Sequence, residues 1–337
     1  MLSSARGGGG VSPPLIRLEN VSKRFVRELD AAERVANLLG AHRRPVIVHA
    51  VDDVSLDIAD GEVVGLVGES GCGKSTLGRV VAGIHAQSEG RVLFKGEDRD
   101  ALTGRQARAA ALAVQMIFQD PFASLNPRMR VAEIVGEAPK VHKIDCDVPA
   151  LLRKVGLDAA MAKRFPHQFS GGQRQRIGIA RALAVRPELI VCDEAIAALD
   201  VSIQAQVINL FMDLRREFGL TYLFISHDLG VVEHISERIV IMYLGRVVEM
   251  APTEALYRDA NHPYTQALLA EIPRIATGRR RFHPIKGEIP SPIDPPPGCH
   301  FHPRCPHAFE RCRIERPALK EIAPGRLSAC HLNDEPR

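Results

Sequence analysis

The sequence predicts an α/β fold with a mostly parallel sheet, and three observations carry that expectation. The first is Gly68-Glu69-Ser70-Gly71-Cys72-Gly73-Lys74-Ser75-Thr76, set between the apolar run Val63 to Val67 and a helical pattern from Lys74 to Ile84. The second is the alternation of short apolar runs with amphipathic stretches along most of the chain, the pattern of strands joined by crossover helices. The third is a break in that pattern. Between Asp120 and Phe169, prolines at 121, 127, 139, 149 and 166 punctuate short helical segments, which reads as a helical subdomain inserted in the core.

Taken in order, Met1 to Pro14 carries the run Gly7 to Gly10 and Pro13-Pro14, a flexible lead-in without the apolar segment of a secretion signal. Ile16 to Phe25 reads as a strand. A charged, helix-prone excursion follows from Arg27 to about Arg44, and the chain returns through Val46 to Ile58, where Val51, Val54, Leu56 and Ile58 alternate. Asp60-Gly61 is a turn into the strand before the glycine loop. Beyond the loop helix, with Leu77, Val80, Val81 and Ile84 on one face, come a short strand over Gly90 to Gly96, a helix over Gln106 to Leu112 and an apolar run from Val114 to Phe118. Inside the proline-rich stretch the helical patterns are Val131–Glu137 and Pro149–Val155. Core patterning resumes with a helix from Gly171 to Val185, a strand from Leu189 to Cys192, a helix from Val201 to Phe218, and strands over Tyr222 to Ile225 and Arg238 to Tyr243. Past Pro273 the chain turns to proline, arginine and cysteine, an appendage with little core of its own.

The 337 residues are 45% hydrophobic, enough for a large core. A net charge of +4 is too small to point to nucleic acid, and no apolar run approaches the ~20 residues of a membrane span. Seven cysteines without a secretion signal suit a reducing compartment.

The loop matches Gly68-x-x-x-x-Gly73-Lys74-Ser75, a phosphate-binding P-loop. Glycines let the backbone turn tightly and approach an anion, and the amides of the loop and helix start point at the phosphates. Lys74 is expected to reach the β- and γ-phosphates and the Ser75 hydroxyl to ligate Mg²⁺. Leu189 to Cys192 ends in Asp193-Glu194, which places Asp193 to face that magnesium and Glu194 to polarise water as a general base. Ser170-Gly171-Gly172-Gln173 opens a helix with capping-box spacing. It reads equally as a well-capped helix or as an exposed amide end that faces an anion.

Phe169-Ser-Gly-Gly-Gln-Arg-Gln-Arg176 resembles the signature motif of the ATP-binding-cassette (ABC) ATPases. The rest of that family's set follows in order: Gln119 in Gln-Asp-Pro is similar to the Q-loop, Ala198-Leu-Asp200 to the D-loop with Asp200, His227 in Ser-His-Asp to the switch histidine, and Phe25 to the aromatic that stacks on adenine. Phe169 stands where leucine is usual, and Ala195-Ile-Ala-Ala198 where Ser or Thr is common. The resemblance covers about Leu15 to Tyr264 and implies an ABC cassette: a mostly parallel sheet core, an antiparallel β portion and the inserted helical subdomain at 120–169. It implies a domain over 15–260 and an extension over 261–337.

It further implies MgATP clamped in a dimer of cassettes. Phe25, the loop 68–76, Gln119, Asp193, Glu194 and His227 of one subunit would face Ser170, Gly171, Gly172 and Gln173 of another. In that scheme Glu194 is the base, His227 holds the γ-phosphate, and Ser75, Gln119 and Asp193 surround Mg²⁺.

Asn261-His-Pro-Tyr264, Gly287-Glu-Ile-Pro-Ser-Pro and Gly298-Cys-His-Phe-His-Pro-Arg-Cys305 resemble the C-terminal extension of oligopeptide/dipeptide importer ATPases. Such a resemblance implies a peripheral ATPase at the cytoplasmic face of the inner membrane, paired with a second and usually non-identical ATPase subunit. Together they would drive two membrane permeases fed by a substrate-binding protein. Cys299, Cys305, Cys312 and Cys330 could hold zinc or an iron–sulfur cluster, with His300, His302, His307 and His331 as further donors, or could stand as free thiols. The subfamily resemblance implies a [4Fe–4S] cluster. Two other functions compete: a soluble ABC ATPase of repair or translation, which tends to carry two cassettes or a long coiled-coil insertion, and a nucleotide-binding regulatory module that no longer hydrolyses.

Overall fold

A computed structural model describes residues 13–40, 42, 44–120, 122–197, 199–272 and 287–334. The lead-in up to residue 12, Pro121, Ala198 and the stretch 273–286 lie outside the described residues.

Among the described residues the strands form two sheets. The first is antiparallel and holds β1 (Ile16–Arg27), β2 (Val46–Ile58), β4 (Glu89–Phe94) and β5 (Glu97–Asp98), in the order β2-β1-β4-β5. The second runs β11-β12-β10-β9-β3-β8-β7-β6, from β3 (Val63–Val67), β6 (Val114–Ile117), β7 (Leu189–Asp193), β8 (Thr221–Ser226), β9 (Arg238–Tyr243), β10 (Arg246–Pro252), β11 (Lys320–Ala323) and β12 (Arg326–Ser328). β9-β3-β8-β7-β6 is parallel, and β10, β12 and β11 add an antiparallel edge.

β3 shows why the parallel segment reads as an unbroken apolar run. Val63 and Val67 belong to the core on the face carrying the helical subdomain and the helices Gly171–Leu183 and Val201–Phe218. Val64 and Leu66 belong to the core shared with the antiparallel sheet and the helix Lys74–Val81. A strand covered on both faces has no polar side to alternate with. The loop helix stops at Val81, and Ile84, expected on its buried face, is 49% exposed.

The proline-punctuated region forms helices Val131–His142 and Val148–Lys154. The first runs through Pro139 instead of ending before it, because Ile134, Val135 and Pro139 are buried and Lys143, at φ 57°, caps its end. Packing here outweighs the hydrogen bond that proline removes.

The tail differs from a coreless appendage. β12 pairs with β10 (Glu249 opposite Ser328), Phe301 and Tyr264 are buried against Tyr243, and His262 is buried against Phe301. Its residues complete the edge of the main sheet. The sequence reading missed β10, β11, β12 and the helices Leu229–Ile235, Thr253–Arg258 and Pro263–Ala270.

Candidate active site

β3, β7 and β8 end side by side, so the loops that follow them share one rim. The loop after β3 is the P-loop. Gly73, at φ 102°, caps the helix Lys74–Val81, and a Cβ there would lie 2.0 Å from the Ala50 carbonyl oxygen. At Gly68 a Cβ would lie 2.1 Å from the Met242 carbonyl oxygen. No side chain fits at either point, so the loop lies against backbone that only glycine permits. Lys74 is buried, and its ammonium donates to the carbonyls of Gly68 (2.7 Å) and Glu69 (2.9 Å). The lysine is thereby poised over the loop's own concavity.

Ser75 Oγ donates to Asp193 Oδ1 at 2.6 Å, joining the first turn of the loop helix to the end of β7. Burial pushes the Asp193 carboxyl above its ordinary range, opposed by the Ser75 hydrogen bond. Two hard oxygen donors thus meet in a half-buried place, the donor chemistry that Mg²⁺ requires. Glu194 has φ 46°, an uncommon backbone for a non-glycine residue at a strand end. Its N–H donates to the Ile225 carbonyl at 3.0 Å, and that bond aims the side chain over the loop. Gln119 Nε2 donates to Glu194 Oε2 at 2.7 Å, and His227 Nδ1 lies 3.3 Å from Glu194 Oε1. The Gln119 amide oxygen is left for other partners.

A cavity of about 410 Å³ is lined by Phe25, Val48, Ala50, Ser70, Gly71, Gly73, Lys74, Ser75, Thr76, Gln119, Glu194 and Pro292. Residues more than two hundred positions apart line it together through Pro292, which the sequence reading did not place here. Three loop residues expected at the ligand do not line it: Gly68 is packed on backbone, Cys72 is buried beneath the loop, and the Glu69 carboxylate turns to Arg304. Sequence reasoning missed Val48, Ala50 and Pro292; Pro292 ends the motif Gly287-Glu-Ile-Pro-Ser-Pro, which carries no signal of its distance from a loop.

Ser170 caps the helix Gly171–Leu183 with a complete capping box: Gln173 N–H donates to Ser170 Oγ (3.3 Å) and Ser170 N–H to Gln173 Oε1 (3.1 Å). Ser170 and Gly171 are exposed, and none of Ser170, Gly171, Gly172 and Gln173 lines the cavity of its own chain. Asp200 caps the helix Val201–Phe218 and is exposed.

The expected iron–sulfur site finds no support. Cys299, Cys305, Cys312 and Cys330 line one small cavity of about 10 Å³ with His262, His302, His307 and His331. That is room for about one water molecule. Burial pushes the Cys299 and Cys330 thiols up to about 11. Among the described residues no group of three or more His, Cys, Asp or Glu stands where it could hold a metal ion. The thiols are gathered without forming a ligand shell. His300, weighed as a further donor, instead approaches the Leu244 carbonyl at 3.2 Å through Nδ1.

A parallel core with a glycine cradle, an acidic strand end and a capped helix tip on an inserted subdomain defines a P-loop ATPase of the ATP-binding-cassette class. The profile described as ABC transporter matches residues 51–197, and that of the oligopeptide/dipeptide transporter C-terminal region matches 248–312. The putative oligopeptide transport ATP-binding protein YkfD of Bacillus subtilis is 53% identical over 85% of this chain and 90% of its own length. The probable peptide ABC transporter ATP-binding protein y4tS of Sinorhizobium fredii is 47% identical over 96% of this chain and 91% of its own length. The ATP-binding cassette MJ0796, solved as a dimer in a post-hydrolysis state bound to ADP and Pi, superposes with a TM-score of 0.58 at 27% identity, covering 71% of this chain and 98% of that one. The chain belongs to the ABC transporter ATP-binding proteins, in their oligopeptide/dipeptide subfamily.

Proposed function

We infer that this chain is the ATP-hydrolysing subunit of a peptide-type importer and works on a separate membrane permease. The observation that carries the hydrolytic reading is Glu194, held between Gln119 and His227 at the rim of the glycine cradle. A carboxylate fixed from both sides can be handed to a water once a triphosphate displaces one neighbour. In this scheme Glu194 takes the proton of the attacking water, Gln119 and His227 orient it, and Lys74 leaves its carbonyls for the β- and γ-phosphates. Phe25, 39% exposed on the cavity wall, offers its ring to the adenine. Mg²⁺ held by Ser75, Asp193 and the Gln119 oxygen would neutralise charge developing on the phosphates.

The peptide reading rests on the relatives' names and on the C-terminal profile. Among the described residues no helix is long and apolar enough to cross a membrane, which accords with a peripheral subunit at the cytoplasmic face whose transport path belongs to other chains. The Ser170–Gln173 tip, exposed at Ser170 and Gly171 and absent from the lining of its own cavity, supports a partner subunit, a copy or a sister, that receives it as the second wall of the site. The proposed division is an ATP-binding domain at 15–260, with its subdomain at 120–169, and an extension at 261–337.

Glu194→Gln is the test. Turnover by the complex with its permeases is expected to fall about 10²–10⁴-fold while the full chain still binds MgATP. Unchanged turnover would remove Glu194 as the base. A broad visible absorbance band and stoichiometric iron in anaerobically purified chain would support a cluster on Cys299, Cys305, Cys312 and Cys330; chain free of both iron and zinc would leave them as thiols.

A further inference from the structure

The C-terminal extension touches the P-loop at a residue that the ATP scheme leaves without a task. Arg304 is buried, and its two terminal nitrogens donate to the two carboxylate oxygens of Glu69 at 2.7 and 2.9 Å. One of those nitrogens also lies 3.5 Å from the Tyr243 hydroxyl. From the other side the Tyr264 hydroxyl accepts the Glu69 backbone N–H at 2.9 Å. Glu69 is the first variable residue of the loop, and its carbonyl holds the Lys74 ammonium. Tyr243 packs edge to face on Tyr264 and Phe301, which are tilted on each other, with ring centroids 4.7 to 5.3 Å apart, so the two contacts stand on a rigid base. The same extension reaches the cavity at Pro292, whose carbonyl accepts the His49 N–H at 2.9 Å.

We propose that Arg304 and Tyr264 are positioning residues of the ATP site: Arg304 neutralises and anchors the Glu69 carboxylate, and Tyr264 pins the Glu69 backbone, so that the loop accepts a polyanion. The proposal rests on the reading of this cavity as an ATP site. Its physical core is charge. A carboxylate in a loop that must receive a triphosphate repels it unless a fixed cation faces that carboxylate. The two-pronged guanidinium contact also fixes geometry, which a lysine ammonium cannot reproduce. The extension therefore acts on nucleotide affinity directly, beyond covering the sheet edge.

The experiment is calorimetric titration of MgATP onto the full chain carrying Glu194→Gln, with and without substitutions at the clasp. Arg304→Ala is expected to weaken MgATP binding about tenfold. Adding Glu69→Gln to Arg304→Ala is expected to restore affinity to within about threefold of the parent, because the uncompensated charge is gone. Tyr264→Phe, which keeps the packing and loses the acceptor, is expected to weaken binding about threefold. Should Arg304→Ala fail to fold, Arg304→Gln, which removes the charge and keeps much of the volume, and Tyr264→Phe decide. Parent-like affinity in folded variants, or a double variant no better than Arg304→Ala, overturns the proposal. A parent chain that binds no MgATP overturns the ATP reading instead.

Discussion

At the scale of single residues, the cavity combines groups whose positions leave little freedom. Gly73→Ala would drive a Cβ to 2.0 Å from a backbone oxygen at φ 102°, so the loop must open. Loss of MgATP binding with the fold retained is the expected outcome, read by titration and by circular dichroism. Lys74→Ala should weaken binding of the triphosphate more than that of ADP, because the ammonium is aimed where the outer phosphates sit. Equal losses for the two nucleotides would contradict that aim. Gly73, Lys74 and Ser75 were legible as candidate ligands because a short spacing carries their chemistry, and Asp193 because it ends an apolar strand. The Glu69 carboxylate was not. Its partner lies 235 positions along the chain, and no local pattern marks a glutamate that will meet a buried arginine.

At the scale of elements, helix caps and strand ends do the positioning. Ser170→Ala removes an N-cap and should cost the helix Gly171–Leu183 about 1 kcal/mol. If the same tip also serves a partner's nucleotide, turnover of the assembled complex should fall by far more than that cost implies, while MgATP binding by the isolated chain stays unchanged. A turnover loss no larger than the stability loss would leave Ser170 a cap alone. The helix Pro263–Ala270 offers a pH test. His262 Nδ1 accepts the Tyr264 N–H at 3.1 Å, and burial lowers its pKa from 6.5 to about 4. Between those values the unfolded chain binds a proton that the folded chain refuses, so stability falls as pH drops from 6.5 toward 4. Protonation would also set a donor against the Tyr264 donor. The thermal midpoint is expected to fall over that window, and to fall less in His262→Asn, which keeps an oxygen acceptor for the cap and carries no proton. An equal fall in both proteins would place the titration elsewhere. Strand and helix positions were mostly legible, since period-two and period-3.6 patterns are local. The continuation through Pro139 was not, because packing of Ile134 and Val135 decided it.

At the scale of the whole molecule, the chain is a cassette whose edge is closed by its own tail. β12 pairs with β10, and the aromatic group of Tyr243, Tyr264 and Phe301 fills the space behind the P-loop. Truncation after residue 298 would remove Phe301, Arg304, β11 and β12 together. It is expected to lower the thermal midpoint by several degrees or more, since burying Phe301 alone contributes about 2 kcal/mol, and to weaken MgATP binding as Arg304→Ala does. A truncated chain as stable as the full one would make the tail an independent appendage after all.

The amino-acid sequence by itself determined the α/β class, the glycine cradle, the acidic strand end and the helix tip, because each rests on residues close together in the chain. Their spacing states both the local conformation and the chemistry. Tertiary structure alone decided that the tail joins the main sheet, that Glu69 serves Arg304 instead of facing the cavity, and that the four tail cysteines gather without forming a ligand shell. Those outcomes depend on groups far apart in the chain, brought together by the burial of apolar surface. Burial is indifferent to sequence distance, which is why no local pattern announces them.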